Sequence, residues 1–178
     1  LSVVGCIHDA ITGNYLLTKE LVLTYEEAVD LLYSSGVDDL SRLPVKKKID
    51  GKEVFSALLP GDFTFYGRDK SRNDVKIVNG TLLTGLMDKS NLGEESGLML
   101  RNIYAQYGPD FTIDLLGKIS KLGINVLLRR GFSIGIGDLD LLPSTAKEVK
   151  DIIEDSMQKA NKLINNFKSG KLVALPGR

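Results

Sequence analysis

A lysine placed at the end of a short β-hairpin is the first side chain in this sequence that could bind an anion. Residues 75–88 predict two short strands around Asn79-Gly80, the dipeptide that best suits the positive φ values of a type I′ turn. Lys89 opens the polar loop 89–93 that follows. A stiff hairpin would hold its ammonium group at a fixed place, where it could contact phosphate. The alternative is an ordinary solvated surface lysine.

One cysteine and one histidine lie close together near the start of the chain. Cys6 and His8 could form a nucleophile and its base. They alternate along a segment predicted to be extended, so their side chains would point to opposite faces. We therefore expect structural roles for both. A single cysteine excludes an internal disulfide, and one Cys with one His excludes a Cys/His zinc cluster.

Other polar residues could bind metal or phosphate. Asp138 and Asp140 could hold a metal ion between them, although two carboxylates without further ligands form an incomplete site. The glycine-rich segment 132–138 contains Gly-x-Gly but lacks the third glycine of a dinucleotide fingerprint, and the sequence has no Walker lysine. Three lysines at 46–48 lie in a predicted loop, where they could touch phosphate or simply be solvated.

Caps and glycines predict the elements that position the hairpin. Thr24 and Glu27 form a capping box that opens a helix ending at Gly36. The other predictions are a short strand and then one helical turn closed by Gly13 within 1–17, a short helix within 51–59, a strand at 63–66 and a charged turn at 67–74. A helix is predicted at 94–107, ending at Gly108, and a further helix starts at Pro109 and runs to Arg130.

A long helix is predicted towards the end of the chain. Thr145 and Glu148 form a second capping box, and the helix runs to about Lys168. Its apolar residues keep a three-four spacing like that of a coiled coil, over about three heptads. Such a seam needs a partner helix. Either it folds back on this domain, or its partner lies further on in a longer parent chain.

The fold class predicted from these elements is α+β: a small mixed domain with short strands and a hairpin packed on helices, followed by a long C-terminal helix. The 178 residues are 43% apolar and 26% charged, with a net charge of zero, as in an ordinary soluble globular protein. No apolar run approaches the roughly 20 residues of a membrane span. Because a single cysteine favours a reducing setting, we expect a cytoplasmic protein. The chain begins with Leu1 rather than methionine, which suggests a piece of something larger.

Several short motifs are spread along essentially the whole chain. They are 5–13 (Gly-Cys-Ile-His-Asp-Ala-Ile-Thr-Gly) followed by 15–18, Leu58-Leu59-Pro60, 79–89 from Asn-Gly to Asp-Lys, Gly108-Pro109, 131–138 (Gly-Phe-Ser-Ile-Gly-Ile-Gly-Asp) and Leu175-Pro176-Gly177-Arg178. In these motifs the chain resembles the largest subunit of multisubunit DNA-directed RNA polymerases, in its archaeal A′ form. The segment 131–138 is the most specific match.

The resemblance implies a pore domain at 1–135 and the start of a funnel domain, its first helical arm, at 136–178. In that family the pore and funnel form the secondary channel, through which nucleotides enter and the 3′ end of backtracked RNA leaves. The implied partners are the other polymerase subunits, a transcript-cleavage factor in the funnel and, transiently, nucleotides and RNA, but no membrane. The second funnel arm would supply the partner helix.

The resemblance also implies roles for individual residues. Lys89 matches the first lysine after the acidic residue that closes the family's hairpin, and Arg101 stands where eukaryotic relatives commonly have histidine. Both are implied as pore-lining contacts to RNA or nucleotide phosphate. The position after Lys89, often a second lysine in the family, is Ser90.

Catalysis is expected to lie outside this chain. The family's magnesium loop, Asn-Ala-Asp-Phe-Asp-Gly-Asp, does not occur in this sequence. We therefore expect no catalytic residue, no metal ligand, no bound cofactor and no polymerase activity from this chain alone, while the parent enzyme would use Mg²⁺. Two alternatives stay open: a free-standing interaction module that binds a transcript-cleavage factor, and a small phosphate-binding protein that uses Lys89, Asp138 and Asp140.

Overall fold

The computed structural model describes residues 4–171 and confirms the α+β class. It divides into two compact units between Phe132 and Ser133. The elements in chain order are α1 (His8–Glu20), β1 (Val22–Leu23), α2 (Tyr25–Ser34), β2 (Ile49–Asp50), α3 (Gly51–Ser56), β3 (Phe65–Arg68), β4 (Asp74–Val78), β5 (Thr81–Thr84), α4 (Lys89–Leu92), α5 (Leu98–Arg130), a 3₁₀ turn (Ile136–Leu139) and α6 (Pro143–Lys168).

The predicted hairpin is confirmed as β4 and β5. Asn79 and Gly80 connect the two strands with φ values of 49° and 68°, the positive values that a type I′ turn requires. The antiparallel order β3-β4-β5 adds a third strand, paired from Phe65 opposite Ile77 to Arg68 opposite Asp74. The strand predicted at 63–66 therefore begins and ends two residues later, and only 69–73 form the charged turn.

Helix α1 corrects the prediction of a single turn closed by Gly13. The helix has 13 residues, and Gly13 lies buried within it. A methyl group at Gly13 would collide with the carbonyl oxygen of Gly123 in α5, and one at Gly123 would collide with the carbonyl oxygen of Ala10. The two glycines let the helix backbones touch, so Gly13 is a packing residue and not a terminator.

Buried polar groups hold the same crossing together. The side-chain amide of Asn14, which is fully buried, donates to the carbonyl oxygens of Ala10 at 2.8 Å and Ile119 at 2.9 Å. Around this contact lies one apolar core built from α1, α2, α3, the sheet and α5. Its largest fully buried members include Phe55, Phe63, Leu17, Leu32 and Ile103.

The helix ends follow the predicted signals in part. The capping box of Thr24 and Glu27 opens α2 as predicted. The predicted break at Gly108-Pro109 is confirmed, because α5 loses helical geometry at Gly108, where φ is 81° and ψ is 179°. The predicted start of that helix at 94 is wrong, since α5 begins at Leu98 after a turn. Gly131 ends α5 with a φ of 74°.

The unit after Phe132 contains the 3₁₀ turn and α6, and its described residues are all exposed. The predicted capping box of Thr145 and Glu148 is wrong, because α6 already begins at Pro143 with Leu142 as its N-cap. Proline has a φ fixed near the helical value and no N–H to leave unpaired, so it takes the first helical position. Residues 175–178, one of the resembling motifs, lie outside the described residues. None of the described helices is both long and apolar enough to cross a membrane.

Tyr107 gives a pH-dependent contribution to the stability of the first unit. Its hydroxyl donates to the Asp62 carboxylate at 2.8 Å. Partial burial, and then the hydrogen bond and charge of Asp62, raise the pKa of Tyr107 to about 12. Because this folded-state pKa lies above the ordinary value of about 10, the contribution is complete below pH 10 and is lost as the pH rises towards 12.

We expect Tyr107→Phe to lose less stability than the wild type between about pH 10 and 12. Denaturant unfolding of both proteins across that range measures the difference, and a tyrosinate absorbance titration should show the most alkaline component disappearing in Tyr107→Phe. Equal loss of stability in the two proteins would contradict the assignment. Asp62→Asn is the matched variant, and it should move that component back towards the ordinary tyrosine pKa.

Candidate phosphate-binding site

The turn end of the hairpin is clamped by an arginine. The Arg42 guanidinium donates to the carbonyl oxygens of Leu59 at 2.7 Å and Asn79 at 3.1 Å. The Gly80 N–H donates to the carbonyl oxygen of Phe63 at 2.7 Å. These bonds fix the type I′ turn against the loop that precedes β3.

Hydroxyl groups of two helices bind β5 and the segment that follows it. Ser56 Oγ in α3 accepts the N–H of Leu82 at 2.8 Å. Thr18 Oγ1 in α1 accepts the N–H of Met87 at 3.0 Å and donates to the carbonyl oxygen of Asn14 at 2.9 Å. Side chains of α3 and α1 therefore hold β5 and the segment that leads to Lys89. These hydrogen bonds give the segment the stiffness that the hairpin pattern predicts.

Thr18→Val should destabilise the protein by about 1–3 kcal/mol, because this nearly isosteric change removes the hydroxyl that accepts the buried N–H of Met87. Denaturant unfolding measures the effect. Thr81→Val is the matched control, since Thr81 is exposed at the start of β5. Equal free energies of unfolding for the two variants would show that the Thr18 hydroxyl does not anchor this segment.

A buried carboxylate joins the two loops next to the hairpin. Asp88, which is 8% exposed, accepts the Ser90 N–H through Oδ1 at 2.9 Å and the Lys70 N–H through Oδ2 at 2.6 Å. Asp69, 5% exposed, accepts both the backbone and the side-chain amide of Asn73, at 2.9 and 3.1 Å. Both carboxylates are thus satisfied by amide groups and fix the positions of two lysine-bearing backbones.

Lys89 and Lys70 lie together at one pocket of about 630 Å³. Both side chains are exposed, and neither forms an ion pair within 4 Å with any residue of the described part of the chain. The rest of the lining is mainly apolar: Ile11, Thr12, Tyr15 and Leu16 of α1, then Ser71, Leu86 and Phe132, with the two satisfied carboxylates. The pocket has the size of a small-molecule site and two cations at its rim.

Arg101 does not join this pocket. It is exposed near the start of α5, and its guanidinium donates to the carbonyl oxygen of Glu95. The loop between the two predicted residues is closed by the Lys89 carbonyl oxygen, which accepts the Gly93 N–H at 2.8 Å and the Ser96 hydroxyl at 2.8 Å. Lys89 therefore pairs in space with Lys70 and not with Arg101.

The sequence alone does not predict Lys70 as a site residue, because the residues around it indicate only a charged turn. The pairing of the strands nevertheless indicates its position next to Lys89. In an antiparallel sheet β3-β4-β5, the turn after β3 and the segment after β5 emerge at the same end, opposite Asn79-Gly80. Pairing the predicted strand at 63–66 with the hairpin would have brought Lys70 next to Lys89.

A family model described as RNA polymerase Rpb1, domain 3, matches residues 2–139 of this chain. The chain belongs to this family. Both predicted site residues, Lys89 and Arg101, and the newly placed Lys70 lie within the matched range. The resemblance to the largest subunit of multisubunit RNA polymerases, drawn from the sequence motifs, is thereby confirmed.

Archaeal relatives extend the Rpb1 match to almost the whole chain. DNA-directed RNA polymerase subunit Rpo1N of Methanocaldococcus jannaschii is 31% identical over 194 residues, covering 98% of this chain and 14% of its own length. The Rpo1N subunits of Thermococcus celer and Sulfolobus acidocaldarius are 31% and 30% identical, covering 97% and 99% of this chain and 23% and 22% of their own. The chain thus spans less than a quarter of the length of these relatives.

Cys6 and His8, which could form a nucleophile and its base, lie in different environments in this member of the Rpb1 domain 3 family. Cys6 is buried, its Sγ lies 3.5 Å from Ser120 Oγ, and burial raises the pKa of the thiol despite that hydrogen bond. His8 is exposed at the start of α1. The Cys6 thiol is thus enclosed in the core while the His8 ring faces solvent, an arrangement unsuited to a nucleophile and its base.

The acidic and lysine-rich candidates also make local contacts. Asp138 accepts the Gly135 N–H at 2.8 Å within the 3₁₀ turn, and Asp140 is exposed. Within residues 4–171, no group of three or more His, Cys, Asp or Glu side chains could hold a metal ion. In the lysine run, Lys46 pairs with Glu53 at 2.6 Å, while Lys47 and Lys48 are exposed.

Proposed function

We propose that this chain is part of the wall of the secondary channel in an archaeal DNA-dependent RNA polymerase, a cytoplasmic enzyme. Residues 1–135 would form the pore domain and residues 136–178 the start of the funnel. Nucleotides would enter, and the 3′ end of backtracked RNA would leave, along this wall. The proposal is supported by the Rpb1 domain 3 match and by archaeal Rpo1N relatives that cover 97–99% of the chain.

The observation that carries the proposal is the position of Lys89. Its backbone is fixed by the hairpin and by Asp88, while its side chain is exposed at the rim of a pocket. The fixed backbone limits the region that the Lys89 ammonium group can reach, and a narrow low-dielectric passage would strengthen its attraction for phosphate. Arg101 would add a second positive charge in the first turn of α5.

The chain would contribute no chemistry of its own. The magnesium loop of the family is not in this sequence, so the parent enzyme would hold its Mg²⁺ on another segment. The other polymerase subunits would surround this wall, and a transcript-cleavage factor would enter the funnel. Substitutions in this chain would then change the entry of nucleotides and the exit of backtracked RNA, and would leave the catalytic centre intact.

The test is to substitute Lys89 in a polymerase assembled with the parent subunit. For Lys89→Gln we expect the KM for nucleotide to rise about fivefold, as for loss of one partly exposed charge pair, or release of backtracked RNA by factor-stimulated cleavage to slow by a similar factor. The variant's kcat at saturating nucleotide should be unchanged. The matched control is Lys76→Gln, because Lys76 is exposed on β4 outside the residues that line the pocket.

Two results would contradict the proposal. Equal KM and equal cleavage rates in Lys89→Gln and Lys76→Gln would show that Lys89 is a solvated surface lysine. A fall in kcat with an unchanged KM would place Lys89 in the chemical step instead of the channel.

A further inference from the structure

We infer that Lys70 and Lys89 form one two-cation site for the phosphates of a ribonucleotide, with the apolar wall of their pocket receiving the base. The inference deepens the proposed function and rests on it for the identity of the passing ligand. It assigns a binding role to Lys70. The residue after Lys89 is Ser90, which carries no charge, so the second positive charge of the site comes from the turn between β3 and β4 instead.

The first step of the argument is the coupling of the two lysines. The N–H of Lys70 and the N–H of Ser90 bind the two oxygens of the same buried carboxylate, Asp88, at 2.6 and 2.9 Å. The two loops are therefore fixed relative to one another by one side chain that cannot move freely in the core. Both lysine side chains extend from backbone next to Asp88 and line the same pocket.

The second step concerns charge. Four charged residues line the pocket, and the formal charges of Asp69, Asp88, Lys70 and Lys89 cancel. The carboxylates, however, are buried and already bonded to amide groups, whereas both ammonium groups are exposed and free of ion pairs among the described residues. An anion that reaches the rim thus meets donors first, while the nearby negative charge keeps its binding weak, as suits a ligand in transit.

The third step concerns the wall. The face of α1 contributes Ile11, Tyr15 and Leu16, and Leu86 and Phe132 complete an apolar surface of a pocket of about 630 Å³. Aromatic rings such as those of Tyr15 and Phe132 can stack on any base without reading its sequence. A site with two cations at its rim and two aromatic rings in its lining matches a nucleotide better than it matches inorganic phosphate.

The experiment is a heteronuclear NMR titration of the full 178-residue chain with a ribonucleoside triphosphate and, separately, with inorganic triphosphate, without added metal. The nucleotide should shift amides in 11–16, 69–71 and 86–89 at one Kd. Inorganic triphosphate should shift only 69–71 and 86–89, and should bind more weakly.

Three variants make the test specific. Lys70→Gln and Lys89→Gln should each raise the Kd about fivefold, the loss expected for one partly exposed charge pair, while Lys76→Gln should leave it unchanged. Amide spectra outside the three segments report whether each variant keeps the fold. A Kd in Lys70→Gln equal to that of the wild type, or no binding at either lysine loop, would overturn the inference.

The outcome separates this inference from the proposed function. If nucleotide binding depends on Lys89 but not on Lys70, the two-cation site is wrong while the channel role of Lys89 stands. If both lysines bind nucleotide in the chain, yet Lys89→Gln leaves the assembled polymerase unchanged, the pocket is real and the channel role is wrong. Equal binding of inorganic triphosphate and nucleotide would overturn the base contact.

Discussion

Replacing Gly123 with alanine is expected to destabilise the protein by about 3 kcal/mol or more. The new methyl group would collide with the backbone carbonyl oxygen of Ala10, which cannot turn away as a side chain could, so α1 and α5 would have to separate. That separation would also stretch the hydrogen bonds of Asn14 to Ala10 and Ile119. Denaturant unfolding measures the loss, and Gly13→Ala should behave in the same way.

Gly117→Ala is the matched control in the same helix. Nothing lies within 4 Å of a methyl group at Gly117, so this variant should gain up to about 1 kcal/mol from the better helix propensity of alanine. Opposite signs for Gly117→Ala and Gly123→Ala would confirm that backbone contact is what requires glycine at 123. Two variants of equal stability would contradict the close crossing of α1 and α5.

Gly80→Ala is expected to destabilise the protein by about 3 kcal/mol, because two costs add. The φ of 68° is unfavourable for alanine, and the methyl group would collide with the carbonyl oxygen of Pro60 and with the Arg42 guanidinium. The collision would break the clamp on the hairpin turn. Chemical denaturation measures the change, and NMR shifts at 85–89 show whether it reaches the Lys89 loop.

The control for this variant is Gly36→Ala. Gly36 also has a positive φ, 85°, but a methyl group there meets nothing within 4 Å. Its replacement should therefore cost only the conformational term, about 1 kcal/mol. If Gly36→Ala and Gly80→Ala lose the same free energy of unfolding, the contacts of Gly80 with Pro60 and Arg42 contribute nothing.

Local signals in the sequence were sufficient for features that depend on neighbouring residues. Asn79-Gly80 predicted the hairpin and Gly108-Pro109 predicted the break in α5, because each dipeptide restricts its own backbone. Thr24 and Glu27 predicted the start of α2 for the same reason. At Thr145 two local signals competed, and Pro143 two residues earlier opened the helix instead.

Features that depend on distant residues were missed. The sequence predicts a helix end at Gly13, since nothing near it in sequence indicates that Gly123 packs against it. The predicted site contains Lys89 but not Lys70, because Lys70 is 18 positions away from Asp88, whose carboxylate fixes its backbone. The pore-lining roles of Lys89 and Arg101 stay predictions, and only the first of these residues lies at the pocket.

The buried thiol gives this protein a built-in reporter of local opening. Cys6 is the only cysteine in the chain, its N–H donates to the carbonyl oxygen of Leu92 at 2.7 Å, and Leu92 lies three positions after Lys89. Because Cys6 is only 1% exposed, a thiol reagent can modify it only after this part of the core opens locally. The rate of labelling therefore reports how often the core next to the Lys89 loop opens, without any engineered probe.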